Sequence, residues 1–174
     1  FEATRGEVSE CHLMTSYRST PAITELFAKL AITADGMQIS SVQRADTEPE
    51  LHECATESEY IQNLVQAARE SKELKGTTAF VALNAEAATR TAQLLGDDSP
   101  ALIGEGDTLP NSGSILLALP LAKGLEFDHV VIVNASKEDF PDNDLSRRRL
   151  YTAISRATST VSIFSNGELS PLLK

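Results

Sequence analysis

Hydrophobic positions along this chain switch repeatedly between two periods. In "PAITELFAKLAI", Pro21 to Ile32, apolar residues recur at helical spacing and place Ile23, Leu26, Phe27, Leu30 and Ala31 on one face. Proline opens that run, where its fixed φ suits the first helical position. "TESEYIQNLVQAARESKEL", Thr56 to Leu74, predicts a second helix with Tyr60, Ile61, Leu64, Val65 and Ala68 turned inward. Its Thr56 and Glu59 have the spacing of a capping box. "AEAATRTAQLLG", Ala85 to Gly96, predicts a third helix closed by glycine. "DLSRRRLYTAISRA", Asp144 to Ala157, predicts a fourth.

Short apolar runs stand between these helices: "TTAFVAL" (Thr77 to Leu83), "SILLALP" (Ser114 to Pro120), "DHVVIVNA" (Asp128 to Ala135) and "TVSIFS" (Thr160 to Ser165), with "ALIG" at Ala101 as a shorter strand. The runs from Ser114 and Asp128 are apolar at successive positions, which predicts strands buried on both faces. Strands separated by helices imply βαβ units, hence an α/β fold with a mostly parallel sheet covered on both sides. "SSVQRADTEPE" (Ser40 to Glu50) and "GEGDTLPNSG" (Gly104 to Gly113) read as linkers. No internal repeat appears, and residues 1–174 read as one domain.

One junction in this pattern is chemically unusual. In "LAKGLEFDHVVIV", Leu121 to Val133, a lysine, a glycine and a glutamate stand at the mouth of a buried strand. Ligands of parallel sheets bind beyond the carboxyl ends of the strands. The Lys-Gly-Leu-Glu loop follows the strand Ser114 to Pro120, so it is expected at that edge.

Composition narrows the class. A chain of 174 residues that is 41% hydrophobic can bury a real core, and without tryptophan that core is mainly aliphatic. The formal net charge of -10 argues against a wrapper of nucleic acid, since phosphate binding wants a basic face. Arg147, Arg148 and Arg149 form the one visible basic run, and on charge alone it reads as a solvated helix face. Cys11 and Cys54 lie too far apart for a metal-ligand pair and read as reduced cytosolic thiols. His12, His52 and His129 are scattered, against a zinc site. No apolar run reaches membrane-span length and no signal peptide is present, so the expectation is a cytoplasmic protein with no membrane partner. The chain begins with Phe1 and reads as a piece of a larger protein.

The sequence has no glycine-rich phosphate loop, no paired acidic residues ending a strand for magnesium, and no Ser-His-Asp arrangement. Three stretches remain: "SYRST" (Ser16 to Thr20), "AKGLEFD" (Ala122 to Asp128) and "RRRLYTAISRA" (Arg147 to Ala157). Singly, each has a plain structural reading: a capped turn, a polar turn with glycine at positive φ, and an arginine near a helix end.

Together, and in this order, they resemble motifs IV, V and VI of superfamily 1 helicases of the UvrD/Rep type. The resemblance spans nearly the whole chain and implies the family's C-terminal RecA-like domain, a three-layer fold of the type found in phosphate-loop NTPases. It implies an ATP site shared with an N-terminal RecA-like domain that would supply the phosphate loop and the magnesium ligands. In that site Tyr17 would stack on adenine, Gly124 would let the backbone approach phosphate, and Glu126 would take a ribose hydroxyl. Arg18 and Arg156 would reach the γ-phosphate as arginine fingers. The full protein would then be an ATP-dependent DNA helicase or translocase, and this piece alone would be inactive.

The chain departs from the family pattern in places. Ala118 and Pro120 stand where the family has threonine and histidine associated with single-stranded DNA. Ser16 replaces an asparagine and Arg149 a leucine. The spacing between the first two motifs leaves no room for the large 2B insertion of UvrD and Rep. These features are closest to the HelD branch, which implies an alternative: an ATPase that binds and remodels RNA polymerase. A non-catalytic interaction domain is the third reading.

Overall fold

The computed structural model describes residues 15–16, 19–31, 40–41 and 47–174. Twelve named elements are seen among them, in the order β1 (Thr15–Ser16), α1 (Pro21–Leu30), β2 (Ser40–Ser41), β3 (Glu50–Cys54), α2 (Glu57–Ser71), β4 (Thr77–Ala82), α3 (Ala85–Leu95), β5 (Ala101–Ile103), β6 (Gly113–Ala118), β7 (Phe127–Ile132), α4 (Asp144–Ile154) and β8 (Ala157–Asn166). Six strands form one sheet in the order β3-β8-β7-β4-β6-β5, and every pairing in it is parallel. β1 and β2 form a separate two-residue parallel pair.

Alternation along the central strands divides the core in two. Ala79 and Val81, Ile115 and Leu117, Val130 and Ile132, and Val161 and Ile163 face α1 and α4, which contribute Ile23, Phe27, Leu30, Leu150, Ala153 and Ile154. Phe80, Leu116, Val131 and Phe164 face the opposite way, against Tyr60, Leu64 and Ala68 of α2 and Ala88 and Leu95 of α3. The outcome is the expected α/β fold of three layers, a parallel sheet with two helices on each side. β6 and β7 are buried on both faces, as their apolar runs require.

The helix ends follow side-chain chemistry. The Thr56 hydroxyl accepts from the Glu59 N–H at 3.2 Å, while the Glu59 carboxylate accepts from the Ala55 N–H at 3.0 Å, one residue earlier than the box pattern implies. Asn84 and Asn143 cap α3 and α4 by accepting from Ala87 N and Ser146 N, each at 2.8 Å.

Two differences from the sequence reading matter. Edge strand β3 lies in "ELHEC", where polar residues hide the strand signal because only Cys54 of the five is buried. The stretch Gly104 to Gly113 connects β5 to its own neighbour β6, so it is a loop within one sheet and not a linker between units. Of Ser40 to Glu50, Ser40 and Ser41 form β2 and Glu50 opens β3; residues 42–46 lie outside the described residues.

Candidate functional site: the loop before β7 and the end of α4

The chain leaves β6 at Ala118 through a 3-10 turn, Leu119–Ala122, and enters β7 at Phe127. Thr78 of β4 is level with Ser114 near the start of β6 and with His129 near the start of β7. Both strands run parallel to β4, so the connection must travel from the carboxyl edge of the sheet back to the amino edge. The Lys-Gly-Leu-Glu loop was expected at the carboxyl edge; only its leading turn is there. Glu126 and Phe127 reach the opposite edge. Leu119, Ala122 and Leu125 hold this crossing against the α1 and α4 face of the core.

Gly124 has φ +83, a conformation that side chains rarely adopt, and a Cβ there would meet nothing within 4 Å. Backbone geometry thus selects glycine, and its exposed surface leaves the peptide open to a ligand. Glu126 is exposed beside it.

Helix α4 delivers Arg156 to the same place. Ser146, Leu150, Ala153 and Ile154 form its buried face, while Tyr151 packs edge-on against Phe27 at 5.5 Å. Just past the helix end, the Arg156 guanidinium turns toward the loop. Nε donates to Thr152 O at 3.1 Å, Nη1 to Leu125 O at 3.2 Å and Nη2 to Ser155 Oγ at 3.0 Å. Arg156 O accepts from Phe127 N at 2.9 Å. Leu125 lies between Gly124 and Glu126, so all three of these candidate residues meet at the amino edge. Among the described residues, three of its five guanidinium N–H groups are engaged, and an anion could take the other two.

Tyr17 and Arg18 lie outside the described residues. Their neighbour Ser19 is described: its buried hydroxyl donates to Ala157 O at 2.6 Å. The backbone next to Arg18 is therefore tied to the residue next to Arg156.

Asp128 is a supporting residue that the sequence reading did not single out. Its carboxylate accepts from Thr77 N at 2.8 Å and from Thr77 Oγ1 at 3.1 Å, and its own N–H donates to Thr77 Oγ1 at 3.2 Å. The Thr77 N–H bond, chiefly, holds the carboxyl below its ordinary pKa, with burial opposing. This clasp joins the start of β7 to the start of β4, and so anchors the outgoing end of the loop. His129 is likewise structural, with Nδ1 2.7 Å from Thr160 Oγ1 and Nε2 3.2 Å from Lys75 O. His52 stacks on Phe164 at 4.4 Å.

The three-layer domain with its parallel sheet matches a helicase C-terminal RecA-like domain in fold. Residues 120–164, which take in the crossing loop, β7, α4 and most of β8, match the family described as UvrD-like helicase C-terminal domain. Beyond that segment, the chain is similar to a solved structure, the C-terminal domain of a possible DNA helicase from Lactobacillus plantarum WCFS1. The two are 28% identical with a TM-score of 0.74, and the match covers 91% of this chain and 92% of that one. A looser likeness is to the C-terminal domain of the DEAD-box protein Dbp5, at 12% identity and TM-score 0.47, covering 67% of this chain and 74% of that one. No curated protein sequence matches the chain. Among the described residues, no helix is long and apolar enough to cross a membrane.

Proposed function

We propose that this chain is the C-terminal RecA-like half of an ATP-dependent DNA helicase or translocase. It would lend Tyr17, Arg18, Gly124, Glu126 and Arg156 to an ATP site completed by a separate N-terminal RecA-like domain. The observation that carries the reading is the junction at the amino edge, where Arg156 donates to Leu125 O between Gly124 and Glu126. A permanent cation, an open backbone and a carboxylate are there on one surface.

The residues suit ATP by their chemistry. Glu126 can accept from ribose hydroxyls, the exposed peptide at Gly124 admits a phosphate, and the planar guanidinium of Arg156 can share its two remaining N–H groups with phosphate oxygens. ATP with magnesium supplies the phosphoryl group, and the magnesium ligands would come from the N-terminal domain. Arg156 would stabilise charge growing on the equatorial oxygens. Because it is held by the domain opposite the phosphate loop, that stabilisation would require the two domains to close. Closure on ATP and opening after hydrolysis would then move the domains relative to bound DNA.

The test is ATP turnover by this chain alone and when joined to its N-terminal ATPase domain. The reading expects magnesium-dependent hydrolysis only from the joined protein. Clear turnover by the purified chain alone would refute the assignment.

A further inference from the structure

The end of α4 closes a small ring of hydrogen bonds around the Arg156 guanidinium. Ser155 caps the helix with φ -68 and ψ -2, and its N–H donates to Tyr151 O at 3.0 Å. Its hydroxyl donates to Thr152 O at 3.1 Å. A hydroxyl has a single proton, so once Ser155 Oγ is committed to that carbonyl it can only accept from its other neighbours. It accepts from Arg156 Nη2 at 3.0 Å. Arg156 Nε donates to the same Thr152 carbonyl at 3.1 Å, which completes the ring. Both residues are half-buried.

This ring fixes more than a helix end. Arg156 Nη1 is held separately, by Leu125 O at 3.2 Å. Anchors at Nε and Nη1 alone would leave the guanidinium plane free to swing about the line that joins them. Nη2 lies off that line, so the bond to Ser155 stops the swing. One N–H on Nη1 and one on Nη2 are the pair not engaged among the described residues. On a fixed plane that pair is a fork for two oxygens of one anion.

We propose that Ser155 is a positioning residue for ATP hydrolysis: its hydroxyl sets the plane in which the Arg156 guanidinium meets the γ-phosphate. The choice of anion rests on the reading of Arg156 given above, whereas the ring does not. Ser155 itself touches no substrate. Its effect passes through Arg156, which would act on charge developing in the transition state, so it belongs to kcat and not to KM. A serine that merely capped α4 would have no such selectivity.

Two measurements test this. In NMR spectra of the chain alone, without nucleotide, the Arg156 Nε–H should be ordered and slow to exchange with solvent. Ser155→Ala should speed that exchange roughly fivefold or more, and Ser155→Thr should not. In the protein joined to its ATPase domain, Ser155→Ala should lower kcat about tenfold with KM within about twofold of wild type. That is less than the hundredfold a displacement of about 1 Å can cost, because two anchors remain. Ser155→Thr should restore kcat, and Ser155→Ala added to Arg156→Ala should cost nothing further, with circular dichroism confirming each fold. The proposal is overturned if Nε–H exchange does not change, if the loss falls on KM, if threonine fails to restore kcat, or if the double variant shows the full extra loss. A slow Arg156→Ala beside a fast Ser155→Ala overturns this proposal alone. An Arg156→Ala variant with full kcat refutes the reading of Arg156 and takes this proposal with it.

Discussion

Ser19 and Ala157 are 138 positions apart in sequence, yet the Ser19 hydroxyl donates a buried 2.6 Å hydrogen bond to the Ala157 carbonyl. The bond ties the segment entering α1 to the start of β8, and so sets the neighbours of Arg18 and Arg156 against each other. Ser19→Ala would leave that carbonyl without its hydroxyl donor at a buried position. The expected loss of stability is about 1–3 kcal/mol, read as a lower urea midpoint at unchanged slope. An unchanged midpoint would show that the bond contributes nothing.

The clasp between Asp128 and Thr77 makes a pH-dependent contribution. Hydrogen bonds to the ionised carboxylate depress its folded pKa below the unfolded value. The stabilisation is therefore fully present above the unfolded value and fades as pH falls through the folded one. Asp128→Asn should cost about 1 kcal/mol near neutral pH, a modest figure for a partly exposed charged hydrogen bond. The gap between variant and wild type should shrink as pH drops toward 3. A gap that stays constant from pH 7 to 3 would mean the carboxylate charge has no part in it.

Two glycines separate strain from collision. Gly124 (φ +83) has open space where a Cβ would go, whereas at Gly76 (φ +90) a Cβ would run into the Asp128 carboxylate. Both alanine variants adopt a rarely populated backbone, at about 1–3 kcal/mol. Gly76→Ala should be the more destabilising, because it also breaks the Asp128 clasp. Thermal melts of the two variants side by side would decide; equal losses would refute the ranking.

In the protein joined to its ATPase domain, Glu126→Ala and Arg156→Ala should diverge. The ribose contact proposed for Glu126 would not change during hydrolysis, so its loss should mainly raise KM. Arg156 would meet developing charge, so its loss should mainly lower kcat, toward the scale of about 10³-fold or more seen for arginine fingers. Steady-state kinetics with the opposite split would exchange the two roles.

Leu150 is fully buried on α4 between the sheet and α1. Leu150→Ala should cost about 2–5 kcal/mol in urea unfolding, as a core truncation does. A loss below 1 kcal/mol would contradict the packing of this helix.

What the sequence by itself determined is what local spacing encodes. Helical periodicity placed α1 to α4 to within a few residues, because each helix buries a stripe set by its own i, i+3 and i+4 positions. The uninterrupted apolar runs announced β6 and β7 as central strands, and their alternation with helices announced a parallel α/β sheet. The order of Ser-Tyr-Arg, Lys-Gly-Leu-Glu-Phe and the arginine-rich helix identified the helicase resemblance before any contact was known. Tertiary structure alone decided the rest. β3 is polar at most positions and exists because β8 offers it a pairing edge, which no local pattern in "ELHEC" records. The Lys-Gly-Leu-Glu loop leaves the carboxyl edge because β7 must run parallel to β4, a constraint of register between distant strands. The basic run divides in the same way. Arg147 pairs with Asp142, Arg148 and Arg149 line a groove with Lys123, and Arg156 donates to Leu125 O. In sequence these are four arginines on one short segment. Their separate fates depend on where each lies, on α4 or just past its end, and on what the fold has placed opposite it.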